Sequence, residues 1–164
     1  MDNQKYGIEG LTAPELTKFR WIGVQGEDIE PIQLSDYGGK FVVLYCFQSW
    51  CPGCHKVGLP SLQKMVTVLQ ENEAVKFFAI QTVFEGKSQN TFEKLIETQK
   101  QYELDIPFGQ DEGDEKTNNI SSTMYYYRTG GTPWFILIDQ KGTVVFNDFH
   151  LNTDEAIKFL KTIK

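Results

Sequence analysis

Cysteine and histidine are scarce in this sequence, with three and two residues among 164. So few cysteines cannot build the dense disulfide framework of small secreted scaffolds. At this length none is needed, because such a chain buries roughly 68–70% of its unfolded surface. A structural zinc centre is equally hard to assemble: it needs four ligands, and beyond the close pair Cys51 and Cys54 only Cys46, His55 and His150 remain. His55 adjoins Cys54 and is poorly placed to turn to the same ion, so no metal site is expected. Basic blocks are missing too. Sixteen Lys and Arg stand against twenty-two Asp and Glu, a formal charge of −6, and no run of Lys or Arg exceeds two residues. A surface that tracks nucleic-acid phosphates has little to be made from. The longest apolar runs, near 41–47 and 134–138, fall far short of the roughly 20 residues of a membrane-spanning helix. Residues 1–10 are polar and lack the charged-then-apolar pattern of a leader. The expected location is cytoplasmic as the chain stands, and periplasmic or otherwise extracytoplasmic if a leader has been removed. No period of about 20–50 residues repeats and no low-complexity linker interrupts the chain, which predicts one domain over residues 1–164.

What is present has the 40% hydrophobic and 23% charged mix of a folded globule, patterned as alternating strands and helices. Residues 19–22, a Gly- and acid-rich turn over 23–28, and residues 32–34 predict a short N-terminal hairpin. Residues 41–47 are continuously apolar, β-branched and aromatic, the pattern of a central strand covered on both faces. Leu62, Met65, Val66 and Leu69 recur at helical spacing, so a helix starting near Pro52 follows. A second buried strand is expected over 75–83 and a second helix over 91–102. Residues 111–115 read as an exposed acidic loop before a short helix near 120–127, in which Tyr125, Tyr126 and Tyr127 divide between core and rim. Strands over 134–138 and 143–146 form a hairpin, and a helix over 153–163 closes the chain, its acids early and lysines late as the helix dipole favours. The class is α/β.

The chemistry concentrates at Trp50-Cys51-Pro52-Gly53-Cys54, where the central strand hands over to the first helix. Cysteines three apart at a helix start bring their Cα atoms to about 5–6 Å, within the range a disulfide accepts. Unpaired N–H groups and the positive end of the helix dipole stabilise a thiolate at Cys51, so its pKa should fall below the free value of about 8.5. Cys51 is the expected nucleophile, and Cys54, deeper in the helix, the resolving thiol. Two inert structural thiols would not favour this spacing between a Trp and a helix start. Cys46, alternating with Tyr45 on the strand, is most simply a buried small hydrophobe rather than a third redox thiol. His55 either faces the thiols, where its charge would stabilise the thiolate and make the disulfide more oxidising, or is solvated.

These residues resemble a known family. The central strand, the Cys-Pro-Gly-Cys run and Gly131-Thr132-Pro133 before a buried strand look like the thioredoxin fold: a central mixed sheet flanked by helices, here with an N-terminal β-hairpin extension. Ala13-Pro14-Glu15-Leu16, residues 32–40, and residues 135–139 followed by Lys141-Gly142 are similar to the redoxin group. That group includes thiol–disulfide reductases of the cytochrome-maturation (TlpA and ResA) type and the AhpC/TSA-related peroxiredoxins. The resemblance implies a cis Thr132–Pro133 bond facing the cysteine pair, with Thr132 backbone groups presented to an extended substrate segment. It also implies roles for Trp50 in shielding the disulfide and lining the docking surface, with Pro52, Gly53 and His55 tuning the pair. Trp134 fits either an extension of that surface or the core.

Two departures stand out. Thioredoxins carry a buried Asp six positions before the first Cys, and here that position is Tyr45, a poor base near pH 7. The family's helix-kinking Pro sits five residues after the second Cys, whereas Pro60 sits six after Cys54, which a π-bulge or a shifted kink would accommodate. The resulting expectation is a monomeric thiol–disulfide oxidoreductase without metal or organic cofactor, acting on protein thiols and disulfides and served by an upstream thiol donor. A thiol peroxidase is the alternative, although the residues three and seven before Cys51 are Gln48 and Leu44 where peroxiredoxins carry Thr and Pro. A non-enzymatic binding module with a merely structural disulfide is the third.

Overall fold

The computed structural model describes residues 5–164; Met1 to Gln4, the start of the polar stretch read above, lie outside them. Seven strands form one mixed sheet: β1 (Arg20–Ile22), β2 (Asp28–Ile29), β3 (Phe41–Phe47), β4 (Val75–Thr82), β5 (Phe108–Asp111), β6 (Trp134–Ile138) and β7 (Val144–Asp148). Their order across the sheet is β2-β1-β5-β4-β3-β6-β7. The helices are α1 (Leu59–Leu69), α2 (Phe92–Gln101), α3 (Ser122–Tyr127) and α4 (Thr153–Leu160). Among the described residues no helix is long and apolar enough to cross a membrane.

β3 is buried at every position because it lies between two strands and two covered faces. It runs parallel to β4, with Tyr45 opposite Ala79, and antiparallel to β6, with Tyr45 opposite Phe135. The strand period of two sorts its side chains. Val43, Tyr45 and Phe47 join the core of α1, α2 and α4, while Val42, Leu44 and Cys46 join Leu16, Trp21, Tyr127 and Trp134 on the other face. Leu59, Leu62, Met65 and Leu69 seat α1 on the first face, each worth about 1.5–3 kcal/mol relative to exposure. α2 starts where Thr91 accepts Lys94 N–H at 3.2 Å, and α4 where Asn152 accepts Glu155 N–H at 3.1 Å.

Three elements differ from the sequence reading. The partner of β1 is Asp28–Ile29, not residues 32–34. Past Pro31 the chain leaves the sheet, and the Glu15 carboxylate accepts the N–H groups of Leu34 and Ser35 at 2.5 and 3.0 Å, capping a 3₁₀ turn (Leu34–Tyr37) instead of a ladder. Second, β5 occupies a stretch that carried no strand signal. It pairs parallel with β4 and antiparallel with β1, so the hairpin extends the sheet through it. Gly109 in β5 is required: a Cβ there would stand 2.6 Å from the Phe19 ring and 2.8 Å from that of Trp21. Third, Asp111 is not part of an exposed loop. It is 1% exposed, and its carboxylate accepts the N–H groups of Ser122 and Thr123 at 3.0 and 2.7 Å and the hydroxyl of Ser121 at 2.8 Å, fixing the start of α3. Within α3, Tyr127 is buried while Tyr125 and Tyr126 are exposed.

Candidate active site

After β3 the chain passes through Gln48-Ser49-Trp50 to Cys51, and a cluster of buried amides holds this passage. Ser49 N–H donates to Gln81 Oε1 at 3.0 Å and Asn90 Oδ1 at 2.8 Å, and the Ser49 hydroxyl also bonds Gln81 Oε1. Gln81 Nε2 donates to Gln110 Oε1 at 2.7 Å, Gln110 Nε2 to the Asn90 carbonyl at 2.7 Å, and Asn90 Nδ2 to Gln48 Oε1 at 3.2 Å. All four amides are buried. The sequence analysis did not single them out. The available signal was a glutamine inside the apolar run of β4, since a buried amide must find partners.

Cys51 lies at the helix start and is 5% exposed. Its sulfur accepts the Cys54 N–H at 3.2 Å, and its thiol donates to the Thr132 carbonyl at 3.5 Å. Hydrogen bonding to the Cys54 side chain, followed by bonds from Thr132 and from backbone N–H groups, outweighs desolvation and lowers the Cys51 pKa to about 6. Cys54 is fully buried; burial first, and then its bond to Cys51, push its thiol up. Cys46 is also fully buried, on the opposite face of β3, and burial raises its pKa as well, the setting of a packing residue. All three cysteines are free thiols in this structure.

Around the pair, the Thr132–Pro133 bond is cis, and Gly53 packs so near Pro133 that a Cβ would lie 3.3 Å from Pro133 Cδ. Pro52 occupies the first turn of the helix, where a missing N–H costs nothing. Trp50 is 40% exposed and rests against the turn at Gly86, whose φ of +64° suits glycine and whose added Cβ would be 3.3 Å from the indole nitrogen.

The structure selects one of the two readings of Trp134 and departs from both readings of His55. Trp134 is 4% exposed and donates its indole N–H to Asn147 Oδ1 at 2.5 Å, so it belongs to the core and not to the docking rim. His55 neither faces the thiols nor points to water. Its Nε2 lies 2.6 Å from the Ser49 carbonyl, which can only accept, so Nε2 carries a proton; Nδ1 lies 2.7 Å from the Tyr102 hydroxyl. The ring ties the approach to Cys51 to the end of α2.

The offset of Pro60 has its structural counterpart in a π-helical segment (Cys54–Gly58) ahead of α1, in which Leu59 N–H reaches the Cys54 carbonyl. In that five-residue pattern the missing N–H of Pro60 would have served the His55 carbonyl. The Tyr102 hydroxyl stands 3.4 Å from that oxygen. Tyr45 fills the place of the thioredoxin Asp, its ring between Phe47 and Phe135 and its hydroxyl 3.4 Å from the Cys54 carbonyl.

Known proteins place this arrangement. Among curated protein sequences none matches. Among solved structures the chain is similar to a thioredoxin-like superfamily protein at 30% identity, over 93% of this chain and 96% of that one, with a TM-score of 0.79. It is likewise similar to a thiol-disulfide isomerase from Corynebacterium glutamicum at 30% identity, over 98% and 95% of the two chains, with a TM-score of 0.76. The thioredoxin domain of a thiol-disulfide oxidoreductase from Bacteroides vulgatus shares 19% identity over 93% and 97%, with a TM-score of 0.69, a likeness of fold. The mixed seven-stranded sheet flanked by four helices is thus that of the thioredoxin-like fold, and with the AhpC/TSA family matching residues 11–147, the chain belongs to that family.

Proposed function

We propose that this chain is a thiol–disulfide oxidoreductase that reduces disulfides in protein substrates, with Cys51 as nucleophile and Cys54 as resolving thiol. The observation that carries the reading is the low-pKa Cys51 thiol, gripped by the Cys54 N–H at 3.2 Å, beside a buried partner thiol. At neutral pH Cys51 is largely thiolate. It attacks one sulfur of a substrate disulfide, and the other sulfur leaves as a thiolate. Cys54 then loses its proton and attacks Cys51 Sγ; the substrate's second sulfur departs and takes up a proton, leaving a Cys51–Cys54 disulfide and two substrate thiols. An upstream thiol donor must return two electrons, and the dithiol itself needs neither metal nor organic cofactor.

The thiolate supports this direction. Strong oxidants of this fold hold their nucleophile near pKa about 3.5 and thioredoxins near about 7. A value of about 6 is nearer the second, and His55, turned to Ser49 and Tyr102, adds no cation beside the sulfur. A peroxidase reading finds less support: Leu44 and Gln48 carry no hydroxyl to orient a peroxide at Cys51, and both are buried. The test is a glutathione redox titration followed by alkylation and mass. A reversible two-thiol couple near about −230 mV or lower, abolished by Cys51→Ser, is expected; a couple near about −120 mV would make the protein an oxidant. Turnover of peroxide by the reduced protein would favour the peroxidase, and thiols that never titrate would favour a binding module.

A further inference from the structure

Ser49 is gripped on every side. Its N–H donates to Asn90 Oδ1 and Gln81 Oε1, its carbonyl accepts from His55 Nε2, and its hydroxyl bonds Gln81. Both peptide planes that lead into Trp50 are therefore pinned. The indole itself lies against Gly86, in the exposed turn over residues 85–89. Asn90 closes that turn. It is fully buried, and its Nδ2 donates to the Glu85 carbonyl at 2.9 Å, the Gly86 carbonyl at 3.1 Å and Gln48 Oε1 at 3.2 Å, while its backbone N–H reaches the Gly86 carbonyl at 3.1 Å. The Ser49 N–H can only donate and the carbonyls of Glu85 and Gly86 can only accept, so the amide has a single orientation. One side chain thus holds the peptide that precedes Trp50 through its oxygen and the turn behind the Trp50 ring through its nitrogen.

We infer that Asn90 is a positioning residue for substrate acceptance: it locks Trp50 and the turn over residues 85–89 into one rigid wall beside Cys51, against which a protein disulfide docks. This deepens the oxidoreductase reading and rests on it. Trp50 directly precedes the nucleophile and is 40% exposed, so it borders the path to a sulfur that is itself almost covered. A wall ordered in advance spares docking the cost of ordering a large side chain. Asn90 acts on that wall and not on the sulfur. Without it the Ser49 N–H still donates to Gln81 and the Ser49 carbonyl still accepts from His55, so the approach to Cys51 stays in place, and what comes free is the turn with the indole that leans on it.

The experiment compares wild type with Asn90→Ala and Gly86→Ala. Of the three tryptophans, Trp21 and Trp134 are 0% and 4% exposed, so iodide quenching of the fluorescence reads Trp50. Asn90→Ala is expected to raise the quenching constant by roughly twofold, as the indole leaves its single rotamer. With insulin as the disulfide and dithiothreitol as the donor, it is expected to raise KM by about threefold to tenfold, with a smaller change in kcat. Gly86→Ala leaves the buried amides intact and sets a Cβ 3.3 Å from the indole nitrogen, so it should shift both readouts the same way even where Asn90→Ala folds poorly. Quenching at the wild-type value in either folded variant overturns the proposal. So does increased quenching with KM unchanged, because the wall would then hold Trp50 without serving docking. If wild type exchanges with neither insulin nor oxidised glutathione, the oxidoreductase reading fails instead, and the quenching comparison still decides whether Asn90 holds Trp50.

Discussion

The backbone N–H of Cys54 points at the sulfur of Cys51 across 3.2 Å, three residues along the same helix start. The Cys54 side chain does most to lower the Cys51 pKa to about 6, and Thr132 and this N–H, which favours the anionic sulfur, add to it. Alkylation of Cys51 in the reduced protein should rise through a midpoint near pH 6 and be flat well above it, while Cys46 and Cys54 stay unreactive in the folded protein. The sign carries over to stability. Because the folded value is depressed, the thiolate's contribution is complete above its ordinary value near 9 and is lost as pH falls through about 6. A midpoint near 9 by rate of alkylation and mass would remove the basis of the proposed mechanism.

Gly58→Ala should destabilise the protein although its backbone, at φ −64°, tolerates alanine. The new Cβ collides with the Tyr45 hydroxyl and with Pro133, and overpacking of this kind costs about 1–3 kcal/mol. Removing the hydroxyl relieves part of the clash. Urea unfolding of Gly58→Ala, Tyr45→Phe and the double variant should therefore be non-additive, the double being more stable than the sum of the singles. Additive losses would mean that Pro133 and the Tyr45 ring edge, which Tyr45→Phe keeps, set the limit.

Much of this site is legible along the chain because its signals are local. The Cys-Pro-Gly-Cys run, the Gly-Thr-Pro and the unbroken apolar stretch of β3 each lie within a few consecutive residues, and the displaced Pro60 announced an irregular turn that appears as the π segment. What the sequence hid depends on partners far along the chain. β5 reads Phe-Gly-Gln-Asp, which resembles a loop, and becomes a strand because β4 and β1 supply ladders on both sides. Trp134 and His55 carry the polar tips of surface residues, yet Asn147 and Ser49 draw them inward. The four amides that hold Ser49 come from β3's exit, β4, β5 and the residue before the α2 cap, so no short window contains them.

Asp111 offers the clearest test of that hidden layer. Its two carboxylate oxygens serve two backbone N–H groups and two hydroxyls at the start of α3. Asp111→Ala strands these donors in a buried place, and each unsatisfied group costs about 1–3 kcal/mol. The urea midpoint should fall by more than any exposed acidic residue of the same loop, such as Glu115, would cause on substitution. A loss no larger than that of Glu115→Ala would show that α3 does not depend on this carboxylate.

His55 separates two kinds of influence on Cys51. Were its ring a cation beside the thiolate, removing it would raise the Cys51 pKa and slow alkylation at neutral pH. The ring instead donates from Nε2 to the Ser49 carbonyl and meets the Tyr102 hydroxyl through Nδ1, so its effect reaches Cys51 only through the chain that leads there. His55→Phe should lower the unfolding midpoint, because the Ser49 carbonyl and Tyr102 each lose a partner worth about 0.5–1.5 kcal/mol. The alkylation midpoint of Cys51 should stay near 6, since the groups that set it are Cys54, Thr132 and the helix N–H groups. A clear upward shift of that midpoint in His55→Phe, with stability unchanged, would assign the histidine to the sulfur after all and would move the expected potential toward the oxidising side.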